Sequence, residues 1–273
     1  MPCNARLAVS GPFGSPHIHS ATGAIAPAIS GASITVREWS RHYFTDSCGA
    51  LPAAYSSWDL MGRTISWDVD LCSTGCGCNM AIYTAQLRQN PTPGTCPEPY
   101  CDANNVCGAR CDEIDLMEAS RHAFHSVAHH ATDGNGQGGG IGGSHGANSR
   151  YGVSGSIINT NRPFSVTSAF GPSPLRYITT TLTQEGRSMS WSMATSSYMA
   201  ALHTSVAAGV GLVISYWSAG NNGMGWLDQP PCPAYAAPSC GPVTISNFRV
   251  SGGASPPPPP PMPPPVASSP PPP

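Results

Sequence analysis

The stretch from Thr64 to Leu71 alternates strictly, with Ile65, Trp67, Val69 and Leu71 apolar and Thr64, Ser66, Asp68 and Asp70 polar. A period of two sends successive side chains to opposite faces of an extended chain, so the segment predicts a β-strand with one face on a core. A helix would scatter the same residues round its circumference. Similar runs recur at Met80 to Leu87, Phe164 to Phe170, Ser188 to Met193, Val210 to Trp217 and Val243 to Val250, with Gly, Pro, Asn and Ser between them. Short strands punctuated by turn formers predict an antiparallel sandwich. One helix is expected at Ser197 to Ala208, where Tyr198, Leu202 and Val206 recur every fourth residue and Gly209 follows as a stop. The segment Asp133 to Gly146 contains Gly134-x-Gly136-x-x-Gly139, formally a dinucleotide fingerprint. Without a strand before it and a helix after it, the segment reads as a loop.

The 273 residues carry 12 Lys+Arg against 14 Asp+Glu, and charged residues make up only 10% of the chain. That excludes nucleic-acid binding or membrane-surface attachment driven by basic charge. Thirteen of the 30 prolines lie between Pro256 and Pro273, so residues 255–273 are expected to form an extended polyproline II spacer without a core. Residues 58–254 then hold the sandwich, and 1–57 remain unassigned. No run approaches the ~18 apolar residues of a membrane span. Eleven cysteines are dense for a reducing compartment. The spacings Cys72-x3-Cys76-x-Cys78 and Cys101-x5-Cys107-x3-Cys111 differ from the paired C-x2-C of a zinc site, which favours disulfides over metal. The odd count leaves one thiol over. Residues 1–6 show no signal peptide, so a truncated or mis-started N-terminus is expected for a chain with secreted-type cysteines.

The chemistry concentrates in Glu113-Ile114-Asp115-Leu116-Met117-Glu118-Ala119. On a strand, Glu113 and Asp115 share one face while Ile114 and Leu116 enter the core. Glu118 has the wrong parity. It joins the acidic face only if a bulge adds a residue near Leu116 to Met117, and bulges often re-aim side chains beside active sites. Three carboxyls on one face cannot all ionise comfortably, so one is expected to stay protonated beside an ionised partner. Glycoside hydrolysis with retention requires that combination, its two working carboxyls standing about 5 to 5.5 Å apart. The competing reading is a solvated acidic edge.

The same segment resembles the E-x-D-x-W-E-A-N signature of the family 7 glycoside hydrolases, cellobiohydrolases and endoglucanases on a concanavalin-like β-jelly roll. Further stretches agree in order. Trp67-Asp68-Val69-Asp70 and Gly77-Cys78-Asn79 resemble the family's F-D-V-D strand and C-G-x-N turn, and Arg150-Tyr151-Gly152 follows them. Phe164 to Phe170 is similar to its P-F-T-V-V-T-Q-F strand. Gly211 to Trp217 and Met224 to Asp228 resemble L-V-M-S-L-W and M-L-W-L-D, and Val243 to Phe248 the closing V-x-F-S-N strand. The resemblance covers approximately residues 58 to 250.

It implies an all-β jelly-roll enzyme that hydrolyses β-1,4-glucan without metal or cofactor. Glu113 would be the nucleophile, Asp115 its orienting partner and Glu118 the general acid/base. His129, one of the cluster His122, His125, His129 and His130, falls where the family has a histidine near the catalytic site. Trp217 and Trp226 match tryptophans on which glucose rings stack. Trp217 also lies off the apolar face of Val210, Leu212, Ile214 and Tyr216, as an aromatic platform for sugar C–H groups should. Asn79, Asp102 and Arg150 are further candidates for contacts to sugar hydroxyls. The chain departs from the signature at Met117 and Ser120, and Ser218-Ala219 replace an acidic pair. It is also much shorter than the family's catalytic domains, so an open cleft and internal cutting are expected. The partner is then a β-glucan polysaccharide or oligosaccharide, met by a secreted monomer. The alternatives are a lectin-like glucan-binding or cell-wall protein on the same scaffold, and a sandwich glucanase for mixed-linkage or β-1,3 chains.

Overall fold

A computed structural model describes residues 3–90, 94–133, 136–146 and 149–253. The proline-rich tail and Gly134 lie outside them. The strands are β1 (Cys3–Arg6), β2 (His17–Ser20), β3 (Ala28–Ser30), β4 (Ser33–Val36), β5 (Ser40–Thr45), β6 (Arg63–Asp70), β7 (Cys78–Ala85), β8 (Glu113–Ala119) and β9 (Ala123–His129). They continue with β10 (Gln137–Gly142), β11 (Tyr151–Gly152), β12 (Ile158–Asn159), β13 (Phe164–Phe170), β14 (Ile178–Gln184), β15 (Arg187–Met193), β16 (Gly211–Ser218) and β17 (Val243–Gly252). Helix α1 spans Ser196–Ala208, helix α2 spans Gly225–Asp228, and Gly143–His145 form a single 3-10 turn.

Two antiparallel sheets carry the architecture. One has eight strands in the order β1-β2-β5-β16-β7-β8-β9-β10, and the other seven in the order β15-β14-β13-β6-β17-β4-β3. Alternation decides which side chains meet between them. Ile65, Trp67 and Val69 of β6, Ile82 of β7, Ile114 and Leu116 of β8, and Leu212, Ile214 and Tyr216 of β16 form one buried cluster. Tyr43, Ala81, Tyr83, Ala85 and Val213, of opposite parity on β5, β7 and β16, form a second cluster with Tyr100, Cys101, Cys107 and Cys111. That cluster lies on the outer face of the eight-stranded sheet, beneath the loop joining β7 to β8, and it is the face that carries the acids.

Residues 3–45 supply five strands, and both sheets draw on them. The expected loop at 133–146 instead contains β10, paired residue for residue with β9. Its glycines hide the pattern, because Gly138 and Gly140 have no side chain to alternate. They also permit the close pairing: a Cβ on Gly138 would lie 2.2 Å from the carbonyl oxygen of Ser126. Helix α1 begins one residue before its expected start and ends where expected.

Five disulfides link Cys3–Cys48, Cys76–Cys232, Cys78–Cys240, Cys96–Cys107 and Cys101–Cys111. The thiol left over is Cys72, which is exposed. No described helix is long and apolar enough to cross a membrane.

Candidate active site

The strand β8 contains the bulge that its acids require. Along β7, Asp115 pairs with Tyr83 and Met117 with the adjacent Ile82, leaving Leu116 unmatched. Along β9, Asp115 pairs with Val127 and Glu118 with His125, two residues opposing one. Leu116 and Met117 consequently both enter the core, each fully buried. Glu118 emerges on the face of Glu113 and Asp115, and the three carboxyls act electrostatically on one another.

Each acid has different surroundings. Glu113 is buried, and its Oε2 accepts the backbone N–H of Ala103 at 2.8 Å. Burial pushes its carboxyl up to about 8, opposed by that hydrogen bond and reinforced by the charges of Asp102 and Glu118. Asp115 is held well above the usual carboxylate range, first by burial and then by Glu113, Glu118 and Asp102. The two compete for protons. Glu113 has an amide that favours its charged form, and among the described residues none donates to the Asp115 carboxyl, so Glu113 is the first of the two to ionise as pH rises and Asp115 keeps its proton longer. Glu118 is less enclosed. Its Oε1 accepts from Asn79 Nδ2 at 3.0 Å, and its Oε2 lies 3.5 Å from His125 Nδ1.

His129 stands opposite Glu113 in the register, with Nε2 at 3.6 Å from Asp115 Oδ2. Burial keeps its ring below the usual histidine range, against the pull of Glu118 and Asp133. With Asp115 protonated and His129 neutral, this contact joins uncharged groups. Asn79 is buried on β7, where it is paired with Trp217 of β16, and with His125 of β9 it borders Glu118 from the two adjoining strands. Asp102 is buried too, its Oδ1 accepting the N–H of Val106, and its charge reaches both Glu113 and Asp115. Its effect is on the acids. Arg150 is exposed in the turn before β11, where its carbonyl accepts from Ile157 and Ile158.

The tryptophans flank the acids. Trp217 is partly buried against Met224 and Leu227, while Trp226 on α2 is 40% exposed and meets His125 edge-on at 6.2 Å. Helix α2 is pinned to the start of β7 by Gly77 N–H donating to Asp228 Oδ2 at 2.8 Å, with the bridges of Cys76 and Cys78 on either side. Beyond Trp217 a hollow of about 400 Å³ is lined by exposed Trp39, by Arg41 and by Glu98. Arg41 pairs with Glu98 at 3.2 Å and lies 3.8 Å over the ring of Tyr100.

Sequence reasoning left out His125, His145, Ala103, Arg41 and Glu98. His125 was visible in the histidine cluster, four residues before His129 and on the same face of the strand. The other four come from loops or from the unassigned N-terminal part. No periodicity leads to them.

No family model matches the chain. It is 29% identical over 231 residues to endoglucanase EG-1 of Hypocrea jecorina, an alignment covering 69% of this chain and 49% of that protein. The chain thus spans about half the length of the curated relatives it matches. Its fold is similar to that of the endocellulase EGI of Humicola insolens, with a TM-score of 0.65 at 19% identity, covering 82% of this chain and 77% of the other. It is also similar to a GH7 family cellobiohydrolase from Daphnia pulex, with a TM-score of 0.64 at 15% identity over 92% of this chain and 96% of that one. A third likeness is the cellobiohydrolase of Melanocarpus albomyces solved with cellotetraose, with a TM-score of 0.59 at 20% identity over 84% and 80%. In sequence and in fold, the chain is similar to the family 7 glycoside hydrolases, the group that its acidic strand resembles.

Proposed function

We propose that the protein hydrolyses β-1,4-glucosidic bonds within cellulose or a related β-glucan, with retention of configuration. The observation that carries this is the bulge at Leu116, which turns Glu118 onto the face of Glu113 and Asp115. In its ionised form Glu113, held by the Ala103 amide, attacks the anomeric carbon. Glu118 delivers a proton to the departing glycosidic oxygen, and a glycosyl ester on Glu113 results. Glu118 then takes a proton from water, which attacks the same carbon and releases the sugar. Asp115, protonated and enclosed, orients Glu113 and spares it a second negative charge. His129 backs Asp115 from β9.

Trp217 and Trp226 offer aromatic surface to sugar C–H groups, and Asn79 steadies Glu118. The endo mode is supported by the likeness to the Hypocrea endoglucanase. A single chain supplies all three acids, so a monomer suffices. The five disulfides support an extracellular setting.

The experiment is turnover of a cello-oligosaccharide followed by NMR of the first product. The β-anomer is expected, and inversion would sink the mechanism. Glu113→Gln should lower turnover by at least ~1,000-fold, since no nucleophile remains. Glu118→Gln should spare an aryl glycoside whose leaving group needs no proton. No turnover by the disulfide-bonded chain, with retention on cellulose, would overturn hydrolysis in favour of a glucan-binding protein.

A further inference from the structure

Glu118 has two oxygens in unlike surroundings. Oε1 accepts a hydrogen bond from Asn79. A carboxyl oxygen already taken up by an N–H donor is the poorer place for a proton, so the proton that Glu118 transfers resides on Oε2. The atom facing Oε2 is His125 Nδ1, at 3.5 Å; it is buried and has no hydrogen-bond partner among the described residues, so Oε2 is the polar atom placed to engage it.

His125 does not stand alone. The 3-10 turn Gly143–His145 lays the ring of His145 over it, with centroids 4.1 Å apart and planes at 11°. The turn is tied to α2, where Ser144 Oγ donates to the carbonyl of Trp226. Room for the stack exists because the residue opposite His125 on β10 is glycine: a Cβ on Gly140 would lie 2.7 Å from the His145 ring. Two imidazoles stacked this closely resist being charged together. Burial and the neighbouring His125 push His145 down to about 4, so this ring stays neutral and leaves any proton to its partner.

We propose that His125 is a positioning residue for the general acid: its Nδ1 fixes Glu118 Oε2, and the imidazole and the carboxyl hold one proton between them, with His145 as the neutral cap of the pair. The proposal rests on the hydrolase reading for its consequence in turnover, while the pairing itself is a property of the folded protein. When Nδ1 carries the proton, Glu118 is a carboxylate able to accept one from water. When Oε2 carries it, Glu118 is the acid and Nδ1 accepts the hydrogen bond. The proton moves between two heteroatoms and no other bond changes.

Other charged groups bear on this pair. On β8 they are Glu113 and Asp115; on β9, His129, itself acted on by Asp133; and on the 3-10 turn, His145. All of them are common to the variants compared below. A proton shared by two bases is held to higher pH than one held by either alone. His125→Asn sets an amide near the position of Nδ1 but cannot bind the proton. It should move the alkaline limb of the kcat/KM profile down by about one pH unit, with KM unchanged. His125→Ala should lose rate at every pH as well, and His125→Asn should restore much of that loss at the optimum. On an aryl glycoside that needs no protonation at departure, both variants should match the wild type in the first step.

A second measurement needs no turnover. Ring-nitrogen NMR of the intact chain should show His125 titrating in two steps, one of which disappears in Glu118→Gln. A single His125 step that is the same in wild type and Glu118→Gln overturns the pairing, whatever the activity. An unmoved alkaline limb in active His125→Asn does so too. A wild type that shows two-step titration yet cleaves no glucan overturns the hydrolase reading and upholds the pairing.

Discussion

At the scale of single residues, the site trades stability for chemistry, and Glu113 makes the trade measurable. An unfolded chain ionises this carboxyl near 4.5, while the folded one, through burial, holds its proton up to about 8. Below both values the group is protonated in either state and contributes nothing. As pH rises between them only the unfolded chain gains by ionising, so folding stability falls through this window and levels off above it. Glu113→Gln removes the loss. It should melt at the same temperature as the wild type at pH 4, and higher at pH 8 by a few degrees, on the order of 1 kcal/mol or more. Calorimetry at the two pH values checks this, and equal melting at both would mean that Glu113 is solvated in solution. Much of this residue-scale picture was legible in the sequence. The acids could be named from their spacing, and Glu118's wrong parity required the bulge that β8 has. What could not be read was the division of protons between Glu113 and Asp115. It depends on the amide of Ala103, ten residues away in a loop that no pattern describes.

At the scale of elements, a strand was legible where apolar and polar side chains alternate over several residues. Strand β13 begins and ends where the alternation of Phe164 to Phe170 says, because apolar Phe164, Val166 and Phe170 alternate with Ser165, Thr167 and Ala169. Strand β10 was hidden by glycine, and β14 by threonine, whose methyl and hydroxyl suit either face: Thr180 is fully buried while Thr179, Thr181 and Thr183 lie outward. The segment carrying Trp226 is a different kind of element. Helix α2 is a single turn, too short to be stable by its own hydrogen bonds. Its place beside His125 depends on Asp228, on the bridge Cys76–Cys232 and on the bridge Cys78–Cys240. Replacing Cys76 and Cys232 together by serine should cost about 2 to 5 kcal/mol in urea unfolding. It should also raise KM for soluble oligosaccharides more than it lowers kcat, because a binding surface is loosened while the three acids on β8 are not. A fall in kcat at constant KM would instead place the segment's contribution in the chemical step.

At the scale of the whole molecule, the charge economy of the sequence reappears as a surface of hydroxyls. The outward face of the seven-stranded sheet presents Ser188, Thr183, Ser165, Asp68, Ser246 and Ser33 in one row across its strands. Ion pairs of arginine with carboxylates are few among the described residues, and two of the three, Arg88–Asp46 and Arg162–Glu185, are exposed and worth little. Acid unfolding therefore cannot come mainly from protonating paired carboxylates, as it commonly does. It must come from buried histidines. Burial alone holds His42 down at about 4, and burial with the neighbouring His125 does the same to His145; His19, His122 and His129 are lowered as well. For each, the unfolded ring takes a proton near 6.5 and the folded ring resists it, so stability is lost as pH falls from 6.5 toward the folded value. The carboxyls of Glu113, Asp115 and Asp228 are raised, so they act in the opposite sense and lose stability as pH rises from about 4 toward their folded values. Where the windows overlap, between about 4.5 and 6.5, the slopes oppose one another. Stability should form a broad plateau there, falling below it through the histidines and above it through the carboxyls. Urea midpoints at pH 4, 5.5 and 8 test the shape, with 5.5 expected highest. His42→Asn should flatten the acid side without altering the alkaline side, and Glu113→Gln should do the reverse. A midpoint that climbs steadily to pH 8 would show that the acids on β8 ionise freely in the folded protein, and the buried, proton-sharing site would have to be abandoned.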